Sequence, residues 1–249
     1  MVTTLVASQN SKQKLESYIN AVHQATQVNG KSVLQYVIFS DSVIINSVHD
    51  DDESFISIVE ACGTLFAQFL EYQIPLRGAI AHGHFLRSSK ANGSFVAGAP
   101  IVEAFDYESR QNWAGIMLCP STIARQANLN ERCSVPLFHQ IMPGFDLNKL
   151  RLPVLVCKCF AIPFHKEDKS SLDEPDTFEG YAVLPTGAGV SHSNAEERIL
   201  IAIRALESLK FIAPDPKAQL KFKNAIRWLQ LLQDQWRQIR AAVVHHGLS

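Results

Sequence analysis

Charge is scarce in this chain of 249 residues: Asp, Glu, Lys and Arg make up 19%, and the formal net charge is −1. A near-neutral balance builds no field for a nucleic-acid groove or an anionic membrane surface, so neither is an expected partner. It leaves room for a local basic pocket that takes one triphosphate. Long apolar runs are missing too. None reaches the roughly 18 residues of a membrane span, and no basic-then-apolar leader opens the chain, which points to a cytoplasmic protein. Cysteine is sparse and odd in number. Cys62, Cys119, Cys133, Cys157 and Cys159 form no regular framework, and reduced thiols are expected. Cys157 and Cys159 share one face of a strand, where burial as small apolar residues fits better than a metal site, because no second Cys/His pair stands at zinc spacing. Repeats, low-complexity tracts, G-x-G-x-x-G and G-x-x-x-x-G-K-[ST] are all absent, which removes the dinucleotide and P-loop classes.

What is present is an ordinary apolar fraction of 47%, enough for one large domain or one domain with an extension. Leu15, Tyr18, Ile19 and Val22 predict a helix over 12–27, which Asn29-Gly30 ends. Residues 33–39 and 43–46 read as strands, joined by Ser40-Asp41-Ser42 into a tight hairpin with an aspartate at its tip. The acidic run Asp50-Asp51-Asp52-Glu53 precedes a helix whose inner face carries Phe55, Ile58, Cys62, Leu65, Phe66 and Phe69. There the helix dipole favours negative charge. Further strands are expected at 76–86, up to Gly98, at 113–118, 154–163 and 180–184, with a helix near 100–110 and a polar loop from His165 to Glu179. Ser193-Asn-Ala-Glu196 reads as a capping box for a helix that Pro214 and Pro216 interrupt, and a last helix runs over 218–244. Trp228, Leu229, Leu232, Trp236 and Ile239 recur on it at helical spacing, as a core or interface stripe would. Hairpins mixed with helices give an α+β layer fold with a largely antiparallel sheet.

Three features carry chemistry. Asp41 is held between two apolar strands, as an oxygen ligand of Mg²⁺ or Mn²⁺ would be, or as an ordinary turn residue would be. Arg77 opens a strand of small residues, Gly78 to Gly83, that permits close approach, and it suits either a phosphate or a structural ion pair. His82 and His84 on one face read as satisfied polar residues. Glu103, Asp106 and Arg110 share a helical face, where a solvated ion pair is the simplest reading.

The order Phe39-Ser-Asp-Ser42, Arg77-Gly-Ala-Ile-Ala-His-Gly83, Gly98, Glu103-Ala-Phe-Asp-Tyr-Glu108 and Trp113-Ala-Gly-Ile116 resembles class III nucleotide cyclases. Within them it is most similar to the bacterial pyrimidine cyclases of the Pycsar anti-phage systems, over roughly residues 1–120. The resemblance implies a ferredoxin-like catalytic domain over 1–190, a helical extension over 191–249, and a homodimer with its active site between the subunits. It implies two Mn²⁺ or Mg²⁺ ions that activate the ribose 3′-hydroxyl for attack on the α-phosphate, with pyrophosphate leaving. Asp41 would be a metal aspartate. Asp106 and Arg110 have the four-residue spacing of the family's substrate and transition-state pair, and Arg77 would hold substrate. Val37 and its neighbour Tyr36 would face the base, and an apolar strand with one phenol suits a pyrimidine. The expected substrate is UTP ahead of CTP, and the product a second messenger. The family's opening strand, with a D-x-x-G-F pattern and the first metal aspartate, is expected upstream of Met1. The alternative is a catalytically inactive cyclase-like domain that binds nucleotide or a partner.

Overall fold

A computed structural model describes residues 9–28, 31–32, 34–39, 41–90, 93–126, 129, 133, 156–164, 176–186 and 194–245. The first helix, α1 (Gln9–Ala25), leads into a minimal antiparallel hairpin of β1 (Gln27–Val28) and β2 (Lys31–Ser32), which the sequence pattern did not announce. β3 (Leu34–Phe39) and β4 (Ser42–Ser47) then pair along their whole length, Leu34 opposite Ser47 and Phe39 opposite Ser42. Asp41 sits in the turn, as the apolar runs on either side require.

α2 (Asp52–Glu71) starts where Asp51 caps it. The Asp51 carboxylate accepts the Ser54 amide at 2.7 Å, satisfying one of the donors every helix N-terminus leaves open. The acidic run is thus part cap, part dipole partner. By length and composition α2 is the one helix among the described residues that could cross a membrane. Here Phe55, Val59, Phe66 and Leu70 pack on the main sheet while Ala61, Leu65 and Phe69 pack towards α1 and β3. The helix is apolar because it is shared between two cores.

The strand expected over 76–86 is two strands. β5 (Arg77–Ile80) ends when the Ile80 carbonyl accepts from Cys119 N and Thr122 Oγ1, both at 2.8 Å. His82 N is then taken by Ser121 Oγ at 2.9 Å, so the backbone leaves the ladder. The chain resumes as β6 (Leu86–Lys90), which pairs antiparallel with β7 (Gly93–Ala97). Gly98 joins that hairpin to α3 (Ala99–Arg110) with φ 156°, and a Cβ there would overlap the His84 carbonyl oxygen. Only glycine fits both conditions.

β8 (Gly115–Leu118) runs parallel to β5, with Arg77 opposite Gly115 and Ile80 opposite Leu118. α4 (Pro120–Arg125) follows. β9 (Val156–Phe164) and β10 (Asp176–Val183) pair antiparallel with an irregularity between Phe178 and Gly180, and β10 also pairs antiparallel with β8. The main sheet therefore has the order β5-β8-β10-β9. The loop expected up to Glu179 is shorter: Asp176 already pairs with Phe164, because ladder hydrogen bonds compensate for a polar sequence. Residues 165–175 lie outside the described set.

α5 (Ala195–Ile212) has Asn194 as its N-cap, with no capping hydrogen bond from its side chain. Ser193 lies outside the described residues. α6 (Pro216–His245) starts earlier than its apolar stripe indicates. Asp215 accepts the Ala218 amide at 2.8 Å, and Pro216 occupies the first turn, where its missing N–H loses nothing. The fold is α+β.

Both C-terminal helices belong to the main core. Ile199, Leu206, Phe222, Ala225 and Leu229 pack in one cluster with Phe66, Met117, Leu118 and Val183. Trp228 meets Trp113 edge to face, centroids 4.7 Å apart at 78°. The side chains of Cys159, Trp236 and Ile239 are not among those described. A second, smaller cluster joins α1, β3 and α2 through Ala21, Val22, Leu34, Leu65 and Phe69.

Candidate functional site

The β3–β4 hairpin presents Asp41 at an exposed tip. Its apolar residues Ile38, Val43 and Ile45 lean on the smaller core, together with Tyr36 and Tyr18. The tip is therefore carried by a packed hairpin, the rigid mounting that an oxygen ligand needs. Tyr18, on α1, is tilted against Phe69 with ring centroids 5.1 Å apart. Burial, and then the negative charge of Asp41, push its phenol above the ordinary tyrosine value. The Tyr18 hydroxyl is buried and has no hydrogen-bond partner among the described residues. Asn46 Oδ1 on β4 and Gln68 Oε1 on α2 share that condition.

Tyr36 pairs with Ile45 across the hairpin, and its hydroxyl lies 3.4 Å from His23 Nδ1 of α1, the two rings edge to face at 75°. The phenol expected to read a base is therefore engaged with a histidine that periodicity alone does not single out.

Arg77 opens β5 and is turned towards α3. Its guanidinium pairs with Glu108 at 2.5 Å and donates to the Gln111 carbonyl at 3.3 Å. Gln111 in turn donates to the Gly78 carbonyl at 2.7 Å. Of the two readings left open for Arg77, the structural ion pair is the one in place. Lys221 of α6 stands in the same field: burial, and then the Arg77 charge, lower its pKa. Asp106 and Arg110 pair with each other at 3.1 Å on α3, and the Arg110 guanidinium lies 5.7 Å from the Tyr107 ring centroid. Glu103, on the same face, accepts the Ser121 amide at 3.2 Å.

The contacts thus gather the candidate residues into two groups. Asp41 and Tyr36 share the hairpin with Tyr18 and His23 of α1. Arg77, Asp106 and Arg110 belong to the β5–α3 layer with Glu108 and Gln111. Sequence spacing missed Tyr18, His23 and Glu108 as members. Tyr18 does stand out as a helix-face residue, but only the fold shows that its buried hydroxyl has no partner among the described residues. Among the described residues, no group of three or more His, Cys, Asp or Glu side chains is placed to hold a metal ion. Asp41 alone would contribute one carboxylate oxygen set, which suits a Mg²⁺-type ion that draws its remaining ligands from water and substrate phosphates.

No protein-family model, curated protein or solved structure matches this chain.

Proposed function

We propose that the protein is a nucleotide cyclase that forms a cyclic pyrimidine mononucleotide, cyclic UMP ahead of cyclic CMP, from the triphosphate with Mn²⁺ or Mg²⁺. The observation that carries this reading is Asp41, an exposed carboxylate at the tip of a hairpin whose flanks are packed into a core. Of the segments that resemble class III cyclases, Phe39-Ser-Asp-Ser42 lies at the turn of this hairpin and Arg77-Gly-Ala-Ile80 forms β5 of the main sheet. In this reading Asp41 binds the cation that lowers the pKa of the ribose 3′-hydroxyl and balances charge on the α-phosphate. Tyr36 borders the base, Arg77 and Asp106 the substrate, and Arg110 the transition state. The protein acts as a homodimer with the site at its interface, in the cytoplasm, and its product serves as a second messenger in anti-phage defence. Incubating the purified chain with each of the four NTPs and Mn²⁺, then resolving products by mass spectrometry, tests this. A cyclic pyrimidine product is expected; no cyclic product from any NTP overturns it.

A second reading is a cyclase-like domain that binds nucleotide without turning it over. Arg77 and Arg110 already hold acidic partners, Glu108 and Asp106, which favours it. Nucleotide-dependent thermal stabilisation without any product from the four NTPs would select it.

A further inference from the structure

The turn between α5 and α6 leaves apolar side chains in water that the rest of the fold does not account for. Leu209 and Phe222, on either side of it, are buried in the main core, yet Phe211 is 90% exposed, Ile212 59% and Leu220 41%. The turn itself is well held. Asp215 accepts the Ala218 amide at 2.8 Å, Gln219 Nε2 donates to the Ala213 carbonyl at 3.2 Å, and Pro214 and Pro216 each fix a backbone angle. Phe211 and Ile212 are therefore fixed facing outward at the tip of a helical hairpin. Charge around them is one-sided. Residues 210–223 hold Lys210, Lys217, Lys221 and Lys223 against Asp215 alone, a local charge of +3 in a chain whose total is −1. Extending the window back to Arg204 brings in Glu207 as well and leaves that excess unchanged. Lys210, Lys217 and Lys223 are exposed.

We propose that this tip docks onto an anionic lipid surface, with Phe211 and Ile212 entering the headgroup boundary and the lysines drawn to lipid charge. The inference goes beyond the cyclase reading and does not depend on it. An apolar tip with a basic collar holds a peripheral protein at a membrane because burial of the tip and attraction to anionic headgroups add. The near-neutral total conceals this, since acids elsewhere in the chain offset a turn that has few. Lys217 lies in the first turn of α6, and at about 1.5 Å per residue Lys223 stands roughly 10 Å along it. One lysine thus stays at the tip while the other reaches headgroups from the flank. Three apolar side chains fall well short of the roughly 800 Å² per partner of a stable protein interface, whereas a wedge into lipid needs no more.

Flotation of the full chain with vesicles tests this, using phosphatidylcholine alone and phosphatidylcholine mixed with phosphatidylserine, at low and high NaCl. Wild type should float with the mixed vesicles at low salt, stay behind with phosphatidylcholine, and be released by high salt. Combining Lys210→Gln, Lys217→Gln and Lys223→Gln should weaken binding about 100-fold, since each lysine at such a surface is worth about fivefold. Combining Phe211→Ser with Ile212→Ser should weaken it about tenfold or more. Both variants should melt with wild type, because every replaced side chain is exposed. No binding of wild type to mixed vesicles, equal binding to both vesicle types, or wild-type affinity in either variant would overturn the inference. A wild-type dimer that ignores vesicles and becomes monomeric with Phe211→Ser would assign the tip to a second copy of the chain and overturn the lipid as its partner.

Discussion

Asp50 and His82 meet at 2.9 Å, carboxylate oxygen to ring Nε2, across 32 residues of sequence. Arg125 adds its Nε at 3.4 Å from the same oxygen and donates to the Asp50 carbonyl at 3.2 Å. Asp50 follows β4 and His82 follows β5, so the contact brings the ends of two strands to one level and ties α4 to both. The acidic run before α2 therefore does more than solvate a loop.

This contact should make stability depend on acid. Hydrogen bonding from His82, with Arg125 close by, holds the Asp50 carboxyl below its ordinary range. A carboxylate depressed on folding contributes fully above its unfolded pKa, about 3.9, and loses that contribution as pH falls through its lower folded value. Asp50→Asn should lower the urea midpoint at pH 7, and the gap from wild type should close towards pH 2. A gap that stays constant with pH would show that the carboxylate charge is not what stabilises.

Arg77 and Glu108 should behave as one unit. Single replacements by alanine should each destabilise, and the double replacement should fall short of their sum by about 0.5–3 kcal/mol, as contacting residues do. Both side chains are less than a third exposed, which keeps the pair from being screened away. Strict additivity in denaturant titrations would rule out a structural role for this pair.

The tip aspartate separates function from fold. Asp41→Ala should leave the melting temperature within a degree or two, since an exposed turn residue adds little to the core, while removing any cyclic product. If the site lies between subunits, mixing Asp41→Ala with Arg110→Ala chains should restore one site per heterodimer. A verified heterodimer without activity would exclude the shared site.

Cys119 is fully buried at the end of β8, and burial, with Glu103 and Asp106 nearby, pushes its thiol up to about 12. Thiolate, not thiol, reacts with alkylating agents. Mass-spectrometric mapping after iodoacetamide at pH 8 should find Cys119 unmodified in the native protein and modified in urea. Native labelling at Cys119 would contradict its place in the core.

Much of this architecture was legible in the residues. The tip position of Asp41 follows from apolar runs on both sides, the extent of α3 from its Gly-Ala-Pro start, and the ion pair of Asp106 with Arg110 from their spacing. What spacing could not supply lies across the fold. The end of β5 at Ile80 is set by donors from residues 119 and 122. The start of β10 at Asp176 is set by Phe164, and the partner of Arg77 is fixed by how α3 lies on β5. The caps at Asp51 and Asp215 were readable in principle, as acids three residues before the amides they accept. Tyr18 looked like any core residue, because periodicity assigns a face but says nothing of whether a buried hydroxyl will find a partner.

Trp228 against Trp113, and Asn224 donating to the Asn112 carbonyl 112 residues earlier, have a consequence for the newborn chain. Trp113, just before β8, is covered by a segment that is translated long after it. Until α6 has been made, Trp113 has no Trp228 to cover it, and the partial chain is a natural client for chaperones. A transcript cut short before α6 should therefore yield aggregate instead of a smaller working domain.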